Sequence, residues 1–230
     1  MSKRLSLGPT VDSLLDKLYD RHSSQDAALG AYFSARAREA SFDWHNFDEQ
    51  TNQFLSDKLV ALEREKAEFC YYVCRSLNAK RVIEAGTSFG VSTLYLASAV
   101  RDNAGGKTGQ GVVIGTEYEP KKADAARDNF REAGLTDFIE LREGDLRQTL
   151  VDPGGEVDFM LIDIWVSMAR PALELIAPYL RTGAVIISDN TAQFRDSYRE
   201  YFEFIDDPKN GLSTMTLPFE GGLEFTVRIS

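Results

Sequence analysis

The sequence predicts an α/β fold with a mostly parallel sheet that closes on an antiparallel hairpin, preceded by helices. Three observations predict it. From residue 81 onward short apolar runs alternate with helical patterns, the first run opens into a glycine turn, and residues 212–219 and 223–229 alternate across Glu220-Gly221-Gly222 as a hairpin does.

Taken in order, residues 11–18 and 27–37 carry helical periodicity. Ser41-Phe42-Asp43-Trp44-His45-Asn46-Phe47-Asp48 is an aromatic-rich break, after which another helix leads to Glu63-Arg64-Glu65-Lys66. Residues 1–62 therefore read as a helical cap on a core spanning 63–230, the whole forming one compact unit. Trp44 and His45 could line a pocket, although a lone tryptophan and histidine more commonly anchor a loop. Arg81-Val82-Ile83-Glu84-Ala85 is the first buried strand, followed by Gly86 and Gly90 and an amphipathic helix. Gly111-Val112-Val113-Ile114-Gly115-Thr116-Glu117 is the second strand and ends in an acid. A helix begins at Pro120 and stops at Gly134. Residues 138–141 form a third strand opening into Glu143-Gly144-Asp145, and residues 157–163 a fourth ending in Asp163. Residues 172–180 lie on a helix, and residues 184–190 form a fifth strand ending in Ser188-Asp189-Asn190.

Acids at the carboxyl ends of successive parallel strands face one crevice, which is where α/β sheets bind nucleotide-sized ligands. Gly86 and Gly90 are three residues apart, without the closely spaced glycines that let backbone approach a pyrophosphate, so a dinucleotide is disfavoured. No Gly-Lys-Ser/Thr follows the strand, so the grip on nucleotide phosphates is missing too. The small, partly polar turn suits the amino-acid end of S-adenosylmethionine. Each strand-end acid also has a plainer use as a helix N-cap. Glu117, Asp163 and Asp189-Asn190 as a set argue for ligand duty.

From about Lys66 onward, the order Glu84-x-Gly86-x-x-x-Gly90-x-Ser92, Glu117, Gly144-Asp145, Asp163 and Asp189-Asn190 resembles the class I S-adenosylmethionine-dependent methyltransferases. Within them it is similar to the small, metal-dependent, catechol O-methyltransferase-like O-methyltransferases. The resemblance implies a Rossmann-like fold with a seven-stranded sheet. It implies that Glu84, Gly86 and Ser92 surround the methionine part of the cofactor, with the Ser92 hydroxyl on its carboxylate. Glu117 would take the ribose diol, Tyr118 and Asp145 the adenine beside Gly144, and Asp163, Asp189 and Asn190 a divalent metal. Two carboxylates and an amide oxygen are hard donors that favour Mg²⁺, which would acidify and aim a hydroxyl of a vicinal, aromatic diol. One departure stands out. Three residues after Asp163 these relatives carry a lysine as general base, and this chain has Val166. The expected activity is O-methylation of a small catechol-like molecule; the alternatives are a metal-independent methyltransferase and a cofactor-binding protein without turnover.

Composition narrows the partners. With 26 basic and 36 acidic residues among 230, the formal charge of −10 repels phosphate backbones and anionic lipid, so a small molecule is the expected partner, with a homodimer possible. No apolar signal core or 18-residue apolar stretch appears, so a cytoplasmic protein is expected. Cys70 and Cys74, one helical turn apart, read as reduced core residues, and Gly105-Gly106-Lys107-Thr108-Gly109 as a surface turn because it precedes a strand instead of following one.

Overall fold

A computed structural model describes residues 5–39, 42–43 and 47–230. Helices α1 (Pro9–Ser24), α2 (Asp26–Arg36), α3 (Glu49–Leu55) and α4 (Arg64–Ser76) precede the sheet. Strands β1 (Arg81–Ala85), β2 (Val112–Glu117), β3 (Ile139–Glu143), β4 (Val157–Ile162) and β5 (Leu180–Asp189) follow, interleaved with α5 (Val91–Asn103), α6 (Pro120–Glu132), α7 (Leu146–Thr149) and α8 (Val166–Ile176). The chain closes with α9 (Arg199–Asp206), β6 (Leu212–Leu217) and β7 (Leu223–Arg228).

The seven strands lie in the order β3-β2-β1-β4-β5-β7-β6. The first five are parallel, and β7 and β6 add an antiparallel pair at one edge. The order reverses between β1 and β4, so the chain leaves these two strands toward opposite faces and opens a crevice at their carboxyl ends. Alternation along each strand builds two cores. Val82, Phe159, Leu161, Val185 and Ile187 pack on one face with α1, α4 and α5, while Ile83, Met160, Ile162, Ala184 and Ile186 pack on the other with α8 and α9. The N-terminal helices share the first core: Val11, Leu14, Leu15 and Leu18 are the buried stripe of α1, at the spacing of one helix face.

Several boundaries differ from the expected ones, two of them by assigning residues to another element. Glu63 to Lys66 open α4 and do not close the helix before it, because the chain breaks between Leu55 and Arg64. Leu180 is the first residue of β5 and not the end of a helix. Pro178 has no N–H to continue the α-helical ladder, and α8 gives way to a single 3-10 turn at Ala177–Tyr179. The glycine-rich segment before β2 is an exposed turn, and both cysteines are buried and free, as expected.

The turn after β1 is where the fold needs glycine. Gly86 has φ +99°, and a Cβ there would stand 2.0 Å from the backbone carbonyl oxygen of Asp163. Gly90 caps α5 with φ +85°, and a Cβ there would meet the Phe130 ring at 2.4 Å. The first contact is backbone on backbone and has no side chain that can yield. Gly86→Ala should therefore cost at least about 1–3 kcal/mol in urea unfolding. Gly30→Ala, with no atom within 4 Å of its Cβ, is the control and should be neutral or slightly stabilising. Equal stabilities for the two variants would contradict this account of the turn.

Candidate active site

Four carboxylates converge on the crevice: Glu84 of β1, Glu117 at the end of β2, Asp163 just past β4 and Asp189 at the end of β5. Each is held differently. Glu84 is fully buried and accepts hydrogen bonds from the hydroxyls of Thr87 (2.8 Å), Ser92 (2.7 Å) and Thr93. Burial raises its pKa, and the three hydroxyl donors oppose that rise without cancelling it. Glu84 thus ties the glycine turn to the first helical turn of α5. The Ser92 hydroxyl donates to Glu84, a carboxylate, as it is expected to do to the cofactor carboxylate.

Glu117 accepts the backbone N–H of Ser88 on one oxygen (2.7 Å) and of Glu119 on the other (2.8 Å). A carboxylate has about four acceptor positions, so two remain for a diol. Tyr118 follows it at the rim with 70% of its surface exposed. Gly144 donates its N–H to the Glu117 carbonyl. Asp145 behaves as the N-cap of α7: it accepts the Arg147 N–H and pairs with the Arg147 guanidinium at 2.6 Å. That is the plain role open to any strand-end acid.

The third and fourth acids form a different kind of site. Asp189 is 4% exposed, and its Oδ1 accepts a hydrogen bond of 2.6 Å from the ammonium of Lys66, itself only 1% exposed. Its Oδ2 accepts the Asn190 amide Nδ2 at 2.8 Å. The Tyr198 hydroxyl fixes the Asp189 backbone by donating to its carbonyl oxygen (3.0 Å). Lys66 also pairs with Glu63 at 2.8 Å. Burial works against its charge, yet the hydrogen bonds and charges of Asp189 and Glu63 hold its pKa above the ordinary lysine value. Desolvation, and then the charges of Asp189, Glu84 and Glu63, push Asp163 well above the ordinary carboxylate range. Among the described residues no group donates a hydrogen bond to the Asp163 carboxylate.

The expected magnesium ligands have suitable hard-donor chemistry, and in this structure two of them are engaged with neighbouring side chains. Both Asp189 oxygens already serve internal donors, and Asn190 turns its amide nitrogen to Asp189 while its Oδ1 faces Gly221. Sequence reasoning passed over Lys66, although a signal existed. Lys66, Cys70 and Cys74 follow a four-residue spacing, so a lysine shares the buried face of α4 with two core cysteines.

Aromatic groups from the N-terminal segment stand over this end of the cleft. Phe47 meets Trp165 edge-on, with centroids 4.9 Å apart, and Phe42 stacks on Phe47 at 5.8 Å. Trp165 lies two residues past Asp163 and is 48% exposed. Trp44 and His45 lie outside the described residues.

Glu84 is the hub whose loss is easiest to read. Glu84→Ala removes the acceptor of three buried hydroxyls and should lower stability by about 1–3 kcal/mol or more, whereas Ser92→Ala removes one bond and should cost about 1 kcal/mol. Denaturant unfolding compares them. Equal costs would show that the carboxylate does not organise the turn.

The family described as a methyltransferase domain matches residues 83–191, from β1 to just past β5. Catechol O-methyltransferase of Mycobacterium tuberculosis is 33% identical over 132 residues, covering 57% of each chain. Catechol O-methyltransferase of Niastella koreensis is 31% identical over 139 residues, covering 57% of this chain and 58% of that one. The matches thus span less than two-thirds of these relatives. Among solved structures, the O-methyltransferase of Bacillus cereus in complex with SAH superposes with a TM-score of 0.66 at 24% identity, over 78% of this chain and 87% of that one. The O-methyltransferase TomG of Streptomyces achromogenes in complex with SAM gives 0.66 at 19% identity, over 88% and 96%. The sheet order is that of these methyltransferase structures, and the chain is similar to methyltransferase domains over residues 83–191, which carry the glycine turn and the acids at the carboxyl edge of the sheet.

Proposed function

We propose that this protein transfers the methyl group of S-adenosylmethionine to a hydroxyl of a small, aromatic, catechol-like molecule. The observation that carries the reading is Asp163, a partly buried carboxylate with no donor among the described residues, whose backbone passes against the glycine turn two residues before the half-exposed Trp165. A partly buried carboxylate without a protein donor has acceptor positions open to a ligand hydroxyl. Trp165 and Phe47 offer an aromatic acceptor an edge and a face to pack on. The catechol O-methyltransferase names of the relatives support the substrate class.

In this reading Glu117 accepts both ribose hydroxyls on its two remaining positions, and the backbone at Gly86 lies close along the methionine portion. Tyr118 and Asp145 stand toward the adenine. Asp163 accepts the hydrogen bond of the acceptor hydroxyl and takes its proton as the oxygen attacks. The new O–CH₃ bond forms while the S–CH₃ bond breaks, and the electron pair of that bond returns to sulfur, giving S-adenosylhomocysteine. The proton then passes to solvent. The protein contributes alignment and charge, because the cofactor carries the electrophile. Mg²⁺ would supply hydroxyl acidification through Asp163, Asp189 and Asn190; both Asp189 oxygens already accept internal hydrogen bonds, and no step here depends on the ion.

Two outcomes follow. S-adenosylhomocysteine at about 100 times its dissociation constant should stabilise the fold by about 2.7 kcal/mol, and NAD should not. Glu117→Ala should weaken cofactor binding by about 1.5–3 kcal/mol in calorimetry, since a charged acceptor of two hydrogen bonds is lost. A catechol panel assayed for methylated product tests the activity itself. A larger shift with NAD, or unchanged affinity in a folded Glu117→Ala protein, would contradict the assignment.

A further inference from the structure

We propose that the Lys66 ammonium is a built-in cation standing where a divalent ion would need to bind, so that the acid cluster works without added metal. The inference rests on the proposed methyl transfer for its activity readout, and on geometry for the rest. Lys66 reaches from the first turn of α4 to Asp189 Oδ1 at 2.6 Å and to Glu63 at 2.8 Å, and it is 1% exposed. An ion bound to Asp189 needs a carboxylate oxygen at roughly 2.0–2.1 Å. An ammonium already hydrogen-bonded to that oxygen would leave two cations side by side on one carboxylate, in a desolvated site where repulsion is poorly screened. The other oxygen accepts Asn190 Nδ2, so an ion there would share it with that amide. Exchanging the two cations would require Lys66 to move away from Asp189, and burial of its stem along the face shared with Cys70 and Cys74 opposes that.

The ammonium also fits the task. Lysine carries three N–H donors. Two go to Asp189 and Glu63, and the third has no acceptor among the described residues. Its positive charge lies close enough to Asp163 to lower that carboxylate's pKa against the stronger effects of its surroundings. Negative charge developing on an acceptor oxygen beside Asp163 therefore meets a fixed positive charge next door. Lys66 acts through Asp189 and the local field and is a positioning residue. It also accounts for Val166: the charge missing from the start of α8 enters the same cluster from α4.

The test uses the unaltered protein first. Mn²⁺ is titrated into it and into Asp189→Asn, with free Mn²⁺ followed by electron paramagnetic resonance, and methyl transfer to a catechol panel is measured with and without excess EDTA. The expected result is no Mn²⁺ uptake attributable to Asp189, and turnover unaffected by EDTA. Lys66→Met, checked for folding by thermal unfolding, should lose turnover in EDTA and recover it with Mn²⁺, taking up the ion as it does so. A merely structural lysine would not create that metal requirement. Mn²⁺ uptake by the unaltered protein that disappears in Asp189→Asn, or turnover abolished by EDTA, overturns the proposal. Absence of turnover on every acceptor would count against the proposed function, while the Mn²⁺ titration would still decide the place of Lys66.

Discussion

Everything at the carboxyl edge of this sheet depends on how four carboxylates share one poorly solvated cleft. Bringing Glu84, Glu117, Asp163 and Asp189 together would be prohibitive if each stayed ionised without a partner. The protein satisfies them in separate ways. Three hydroxyls serve Glu84, two backbone N–H groups serve Glu117, and a buried lysine with an asparagine amide serves Asp189. Asp163 is the one left without a donor among the described residues, and it is partly exposed.

The rest of the architecture serves that edge. The reversal of strand order between β1 and β4 opens the crevice, and Gly86 lets the chain after β1 pass against the Asp163 carbonyl. The Asp163 N–H donates to the Ala85 carbonyl, joining the ends of β1 and β4. At the opposite end of the sheet, Asp158 binds the N–H groups of Lys80 and Arg81 and the Arg181 guanidinium, pinning the starts of three adjacent strands. Helix α4 contributes both to the first core and, through Lys66, to the acid cluster. One helix thus joins the first core to the acid cluster.

The sheet, its hairpin and the cofactor turn were legible because short-range physics encodes them: buried apolar runs, glycines at forced φ values and alternation across Glu220-Gly221-Gly222. The strand-end acids were legible for the same reason. Their partners were not. Nothing near Asp189 in the chain announces that a lysine 123 residues earlier will meet it, since that pairing is made by the packing of α4 and not by any motif. Ser92 and Asp145 show the same limit. Their places in the motif were clear, while the atoms they bond were decided by Glu84 and Arg147. Leu180 and the Glu63 to Lys66 segment were misplaced at helix ends, where a proline and a break in the chain outweighed local periodicity.

The most direct test of the account is a crystal structure of the protein with S-adenosylhomocysteine and a catechol, grown with Mn²⁺ present. The account predicts the ribose on Glu117, the sulfur near the Gly86 turn, a catechol hydroxyl on Asp163 beneath Trp165, and Lys66 still bonded to Asp189 with no anomalous peak between them. Cofactor bound elsewhere, or an anomalous peak ligated by Asp163, Asp189 and Asn190 with Lys66 displaced, would contradict it.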